Sequence, residues 1–257
     1  LRQRRRTRVG ATQGKTSVGL VPLTDMGEDV THQGEGGGLY GEGQNQPPPF
    51  LRKAAELELS NILPRNTSGD PASDGRIVLI SISMSNATQE FSAFKRLADA
   101  DPSKSSKLTV VDCAQGGQAM SQWANPQARV WSEAERRLTA AGVSTNQVQV
   151  AWVKLANKMP RGGLNEHGRR LYDDTLQVLS NARRRYPNLR IVYLSSRTYG
   201  GYATMPLNPE PYAYESAFVA RWLIQDQLNS ESSLSWNAEQ SEAKVPLLLW
   251  GPYLWAD

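Results

Sequence analysis

The sequence holds one cysteine, two histidines and four phenylalanines in 257 residues. The lone Cys113 excludes an internal disulfide framework and a cysteine-based zinc cluster. Long apolar runs are lacking too: the charge-free stretch Val245 to Ala256 is too short to span a bilayer as a helix. A basic excess is lacking from the body of the chain. The formal net charge is +4, but five of the 29 basic residues (Arg2, Arg4, Arg5, Arg6 and Arg8) fall in an octapeptide without an acid. The rest carries 24 basic against 25 acidic residues. Nucleic-acid binding needs a basic face on the folded part, so no nucleic acid is expected as partner. The Arg run reads as a solvated tail or an assembly contact. With 39% apolar and 21% charged residues the chain has an ordinary globular balance, neither collagenous nor coiled-coil. It starts at Leu1 without a Met and reads as processed or as a fragment.

Residues 1–74 read as an irregular Arg-, Gly- and Pro-rich extension with one short amphipathic helix over Phe50 to Leu63. Gly34 to Pro49 is too Gly-rich to fold alone, so it is expected to lie across the main domain, near its working edge or at a subunit contact. From residue 75 to 257 the pattern is regular. Continuous apolar runs of strand length occur at Ile77–Ile82, Leu108–Asp112, Val148–Val153, Arg190–Leu194 and Val245–Trp250. Between them lie helical patterns at Thr88–Ala100, from Asn125 with Pro126 to Gly142, at Leu171–Tyr186 and at Tyr212–Leu228. Strands without alternation, separated by helices at βαβ spacing, predict a parallel sheet covered on both faces. The simplest topology is a flavodoxin-like three-layer α/β/α sandwich with five parallel strands.

In such folds the chemistry sits at the carboxyl ends of the strands. After the first strand comes Ser83-Met84-Ser85-Asn86 at the start of a helix, where free N–H groups and the dipole favour an oxyanion. After the second comes Gln115-Gly116-Gly117, and after the third Lys154-Leu155-Ala156-Asn157. The loop after the fourth, Ser195 to Tyr202, is polar and aromatic. Taken singly these are an N-cap, a turn and a strand-end amide. Cys113 reads as a packed small residue, and Asp173-Asp174 as acids placed for a helix dipole.

In the order Ser, Gly, Asn on three successive strand ends, the blocks resemble the SGNH (GDSL-like) hydrolase superfamily, closest to sialate O-acetylesterase-like carbohydrate esterases. The resemblance covers residues 75–257, with Ser83 where the first block usually has glycine. It implies Ser85 as nucleophile and an oxyanion hole from the Ser85 N–H, the N–H of Gly116 or Gly117, and the Asn157 amide. The family takes its acid and base from an Asp-x-x-His block after the fifth strand, which the resemblance places beyond Asp257. Within the chain, His167 is the possible base, although an exposed loop histidine is its plainer reading, and His32 lies in the Gly-rich extension. Arg197, Tyr199 and Tyr202 are expected to bind substrate, the tyrosines as a stacking wall and Arg197 through a carboxylate.

Two classes of function follow. One is a serine esterase acting on O-acyl groups of a carbohydrate or other small ester, without metal or organic cofactor, in an extracellular or cell-envelope setting. The other is a non-catalytic protein that keeps the fold while its N-terminal extension makes a homo-oligomer or assembly contact.

Overall fold

The computed structural model describes residues 14–237 and 242–255; the Arg2–Arg8 run lies outside them. Five strands, β1 (Ile77–Ile82), β2 (Leu108–Val111), β3 (Val148–Lys154), β4 (Ile191–Ser195) and β5 (Leu247–Trp250), form one parallel sheet in the order β2-β1-β3-β4-β5. This is the flavodoxin-like order, whose switch point lies between β1 and β3. The register aligns Leu79 with Val110, Val153 with Leu194 and Leu194 with Trp250. Ile80, Ile82, Val192 and Leu194 are fully buried, as the apolar runs require of a sheet covered by helices.

The helices are α1 (Pro49–Ser60), α2 (Ser85–Ala100), the short α3 (Met120–Trp123), α4 (Arg129–Ala140), α5 (Arg169–Arg185) and α6 (Tyr212–Leu228). With right-handed crossovers this strand order puts α2 on one face and α4, α5 and α6 on the other. On the α2 side, Phe91 stacks on Trp152 with ring centroids 5.7 Å apart. Beside them Leu79, Phe94, Tyr193 and Leu254 line an apolar cleft of about 450 Å³. On the other side Trp123 and Trp131 meet edge to face at 4.8 Å within the main core.

Besides α2, which begins at Ser85 rather than Thr88, two helix starts differ from the sequence reading. Asn125 does not cap a helix: its Oδ1 accepts the Gln127 N–H at 2.9 Å in a turn, and α4 begins at Arg129. The predicted end holds, because Gly142 takes φ +72° and the Val143 N–H closes on the Leu138 carbonyl at 3.1 Å. The second difference is at α5, which is preceded by a five-residue π-turn over Leu164–Gly168 and starts at Arg169.

Residues 14–48 form no helix or strand, yet they are tied to the α/β body along their length. Leu23 and Met26 are buried in the same apolar core as the sheet. The Thr16 N–H bonds Gly201 at 3.0 Å and the Leu23 N–H bonds the Tyr253 hydroxyl at 3.0 Å. Arg221 of α6 reaches the Gly36 carbonyl at 2.6 Å and pairs with Glu35, while Gln225 donates to the Tyr40 carbonyl at 2.9 Å. A segment too Gly-rich to make its own core thus borrows that of the sheet and α6.

Candidate active site

Backbone hydrogen bonds draw three strand ends to one edge of the sheet. The Gln115 N–H bonds the Ser83 carbonyl at 2.9 Å, linking the turn after β1 to the segment after β2. The Met120 N–H bonds the Ala156 carbonyl at 3.0 Å, linking that segment to the end of β3. Ser83 Oγ donates to the Lys154 carbonyl at 2.7 Å, linking β1 directly to β3. Ser83 is fully buried, and its hydroxyl supplies a tie that a glycine at this position would lack.

Ser85 is the first residue of α2, exposed, and its hydroxyl makes no hydrogen bond among the described residues. Gly116 faces it: a Cβ built on Gly116 would lie 4.0 Å from the Ser85 Cβ. Gly117 holds φ +73°, a left-handed conformation that side chains resist, with open space where its Cβ would be. Among the described residues the N–H groups of Ser85, Gly116 and Gly117 have no hydrogen-bond partner. Asn157 follows β3, and its side chain is held at both ends. Oδ1 accepts the Ser121 N–H at 2.9 Å, and Nδ2 donates to Asp174 at 2.6 Å. Its carbonyl accepts from Asn208 at 2.8 Å. Burial holds the Asp174 carboxyl above its usual range, partly offset by the bond from Asn157.

Under the same turn lies a charged cluster that the sequence reading missed. Lys154, fully buried at the end of β3, donates to both oxygens of Glu90 on α2 at 2.5 Å and to Thr198 in the loop after β4. Burial brings the Lys154 ammonium down to about 8 against the pull of Glu90. Asn86 reaches Thr198 at 3.4 Å. Arg197 is half-buried; its guanidinium contacts the Met84 sulfur at 3.2 Å and its N–H bonds Ser216 Oγ at 2.8 Å. Burial lowers its pKa against the nearby Glu90 and Glu210. Of the expected stacking residues, Tyr199 bonds Ser17 at 2.5 Å and packs on Trp255 at 5.1 Å, whereas Tyr202 is largely exposed with Lys15 over its ring.

The plain reading of His167 as an exposed loop histidine is corrected. His167 lies in the π-turn, is 5% exposed, and its Nε2 bonds Glu215 of α6, with the Tyr212 ring edge-on at 4.8 Å. His32 Nε2 bonds the other oxygen of the same carboxylate at 2.6 Å and stacks on Phe218. No hydrogen bond or ring contact joins either histidine to Ser85, Gly116, Gly117 or Asn157 among the described residues. The dipole reading of Asp173-Asp174 is corrected as well. With α5 starting at Arg169 both lie past its first turn, where the dipole has faded. Cys113 is buried, and burial pushes its thiol up to about 12, so no thiolate is available for chemistry. No group of histidine, cysteine and acidic residues among the described residues is arranged to hold a metal ion.

No family model matches the chain, and no curated protein matches it. Among solved structures it is similar to a Bacteroides fragilis protein described as a "putative acylhydrolase". The two share 12% identity at a TM-score of 0.33, over 79% of this chain and 90% of that one. No helix among the described residues is long and apolar enough to cross a membrane.

Proposed function

We propose that the chain carries the nucleophile and oxyanion hole of an SGNH-type serine esterase. Ser85 attacks an acyl carbon, and the N–H groups of Ser85 and of Gly116 or Gly117, with the Asn157 amide, receive the negative oxygen. The observation that carries this reading is an unencumbered serine hydroxyl at the start of α2 with Gly116 facing it, the N–H groups of Ser85, Gly116 and Gly117 being unpartnered among the described residues. Such donors, fixed before the reaction, stabilise charge that develops only in the transition state. The substrate is an O-acyl ester on a carbohydrate or other small alcohol, with Tyr202 available for stacking and Arg197 for a carboxylate or hydroxyl.

A serine is a weak nucleophile until a base takes its proton. Neither histidine is joined to Ser85 by a hydrogen bond among the described residues, and Lys154 spends its donors on Glu90 and Thr198. The proposal therefore includes an Asp–His pair from outside residues 1–257. The same observation favours the second reading, a non-catalytic protein that retains the fold. Labelling with a fluorophosphonate probe separates the two. Esterase chemistry predicts a covalent adduct on Ser85 that Ser85→Ala abolishes; an unlabelled Ser85 in the complete gene product supports the non-catalytic reading.

A further inference from the structure

We propose that Asp174 is a positioning residue for Asn157, fixing which way the amide faces so that its one remaining N–H is kept for the oxyanion. The inference rests on the esterase reading of the site.

An asparagine amide has two nearly isosteric orientations, and only its hydrogen-bond partners decide between them. Here the partners are of opposite kinds. The Ser121 N–H can only donate, and it meets Oδ1. The Asp174 carboxylate can only accept, and it meets Nδ2. Flipping the amide would set N–H against N–H and oxygen against carboxylate, so one orientation survives. In it one of the two Nδ2 hydrogens is committed to Asp174, which leaves a single donor with a fixed direction.

The placement of Asp174 carries its own cost. It sits past the first turn of α5, too far in for the helix dipole to reward it, and it is half-buried where its neighbour Asp173 is exposed. The charged groups acting on it are Asp173, which adds to the burial cost, and Arg170, which relieves it. The bond to Asn157 is the one hydrogen bond its side chain makes within the described residues. Ser121 meanwhile stands one residue after Met120, whose N–H ties α3 to the end of β3. The segment that carries Gly116 and Gly117 therefore helps to orient Asn157 as well.

The test is ester turnover by the complete gene product, using p-nitrophenyl acetate, with Asp174→Ala, Asp174→Asn, Asn157→Ala and the double variant Asp174→Ala/Asn157→Ala. Losing the partner that orients a catalytic group costs roughly 10–100-fold. Asp174→Ala should lower kcat by that factor and leave KM within about twofold. Asp174→Asn, which still offers an acceptor oxygen, should recover part of it. In the Asn157→Ala background the Asp174→Ala change should have no further effect. Full activity in Asp174→Ala, or an equal loss with and without Asn157, overturns the positioning role. Unchanged turnover in Asn157→Ala, or none in the unaltered protein, overturns the esterase reading itself. The two failures are told apart by the second, activity-independent readout. The Asn157 side-chain amide protons in NMR spectra should shift on Asp174→Ala whether or not the protein hydrolyses esters, and an unmoved signal sinks the proposal.

Discussion

Glu215 is the meeting point of both histidines, and its chemistry sets how the N-terminal segment is held. The carboxylate is buried on α6; His167 bonds one oxygen, while His32 and Gln33 bond the other. Burial alone would raise its pKa, but the bonds from His167 and His32 outweigh this and hold it below the usual glutamate range. A carboxyl lowered in the folded state contributes stability above its unfolded pKa, and that contribution is lost as the pH falls through the folded value. Glu215→Gln should therefore cost about 2 kcal/mol near neutrality. The Tm gap to the unaltered protein should close as the pH drops below the ordinary glutamate range. A gap that persists unchanged down to strongly acid solution would contradict this. Cys113 offers a simpler check: Ellman's reagent should find no thiol in the native protein at mild alkaline pH and one after unfolding, since burial suppresses both access and ionisation.

Among the elements, residues 14–48 depend most on others for their order. Arg221 on α6 is 3% exposed and holds Glu35 together with the carbonyls of Gly36, Gly37 and Gly38. Removing it leaves a partly buried carboxylate and the Gly36 carbonyl without their donor, while the Gly37 and Gly38 carbonyls keep the N–H groups of Gly43 and Gly41. Arg221→Ala should accordingly destabilise by roughly 3 kcal/mol and open the segment to a glutamate-specific protease at Glu35 and Glu42. Equal cleavage rates in both proteins would show that Leu23 and Met26 anchor the segment by themselves. The helix starts show how far local signals reach. Asn125 followed by Pro126 has the chemistry of a cap, but Asn125 Oδ1 satisfies the Gln127 N–H in a turn, and α4 waits until Arg129. Likewise no local signal marks the π-turn before α5, because that turn is stabilised by long-range partners. His167 bonds α6, and the Leu164 N–H bonds Gln33 of the N-terminal segment at 2.9 Å. Gly142, by contrast, acts through its own backbone conformation, and the end of α4 was legible for that reason.

At the scale of the whole molecule, the sheet was readable because buried parallel strands need unbroken apolar runs, and Ile77–Ile82, Val148–Val153 and Ile191–Leu194 supply them. The positions of Ser85, Gly116 and Asn157 at one edge follow from that topology and from turn residues visible in sequence. What supports the site from behind was not legible. Lys154 with Glu90 joins residues 64 positions apart, and His32 with Glu215 joins residues 183 apart. Asp174 has the sequence signature of a helix-start acid, but α5 begins at Arg169 after the π-turn, which puts it past the first turn. Under the proposed function, this edge is an esterase site whose nucleophile is Ser85 and whose base is neither His32 nor His167. The most direct measurement is p-nitrophenyl acetate hydrolysis by the complete gene product beside its Ser85→Ala and His167→Ala forms. The proposed mechanism predicts a loss of roughly 10³-fold or more in Ser85→Ala. In His167→Ala it predicts near-normal turnover per folded molecule, with a lowered Tm. Undiminished hydrolysis in Ser85→Ala, or an equal collapse in His167→Ala with the fold intact, would contradict it.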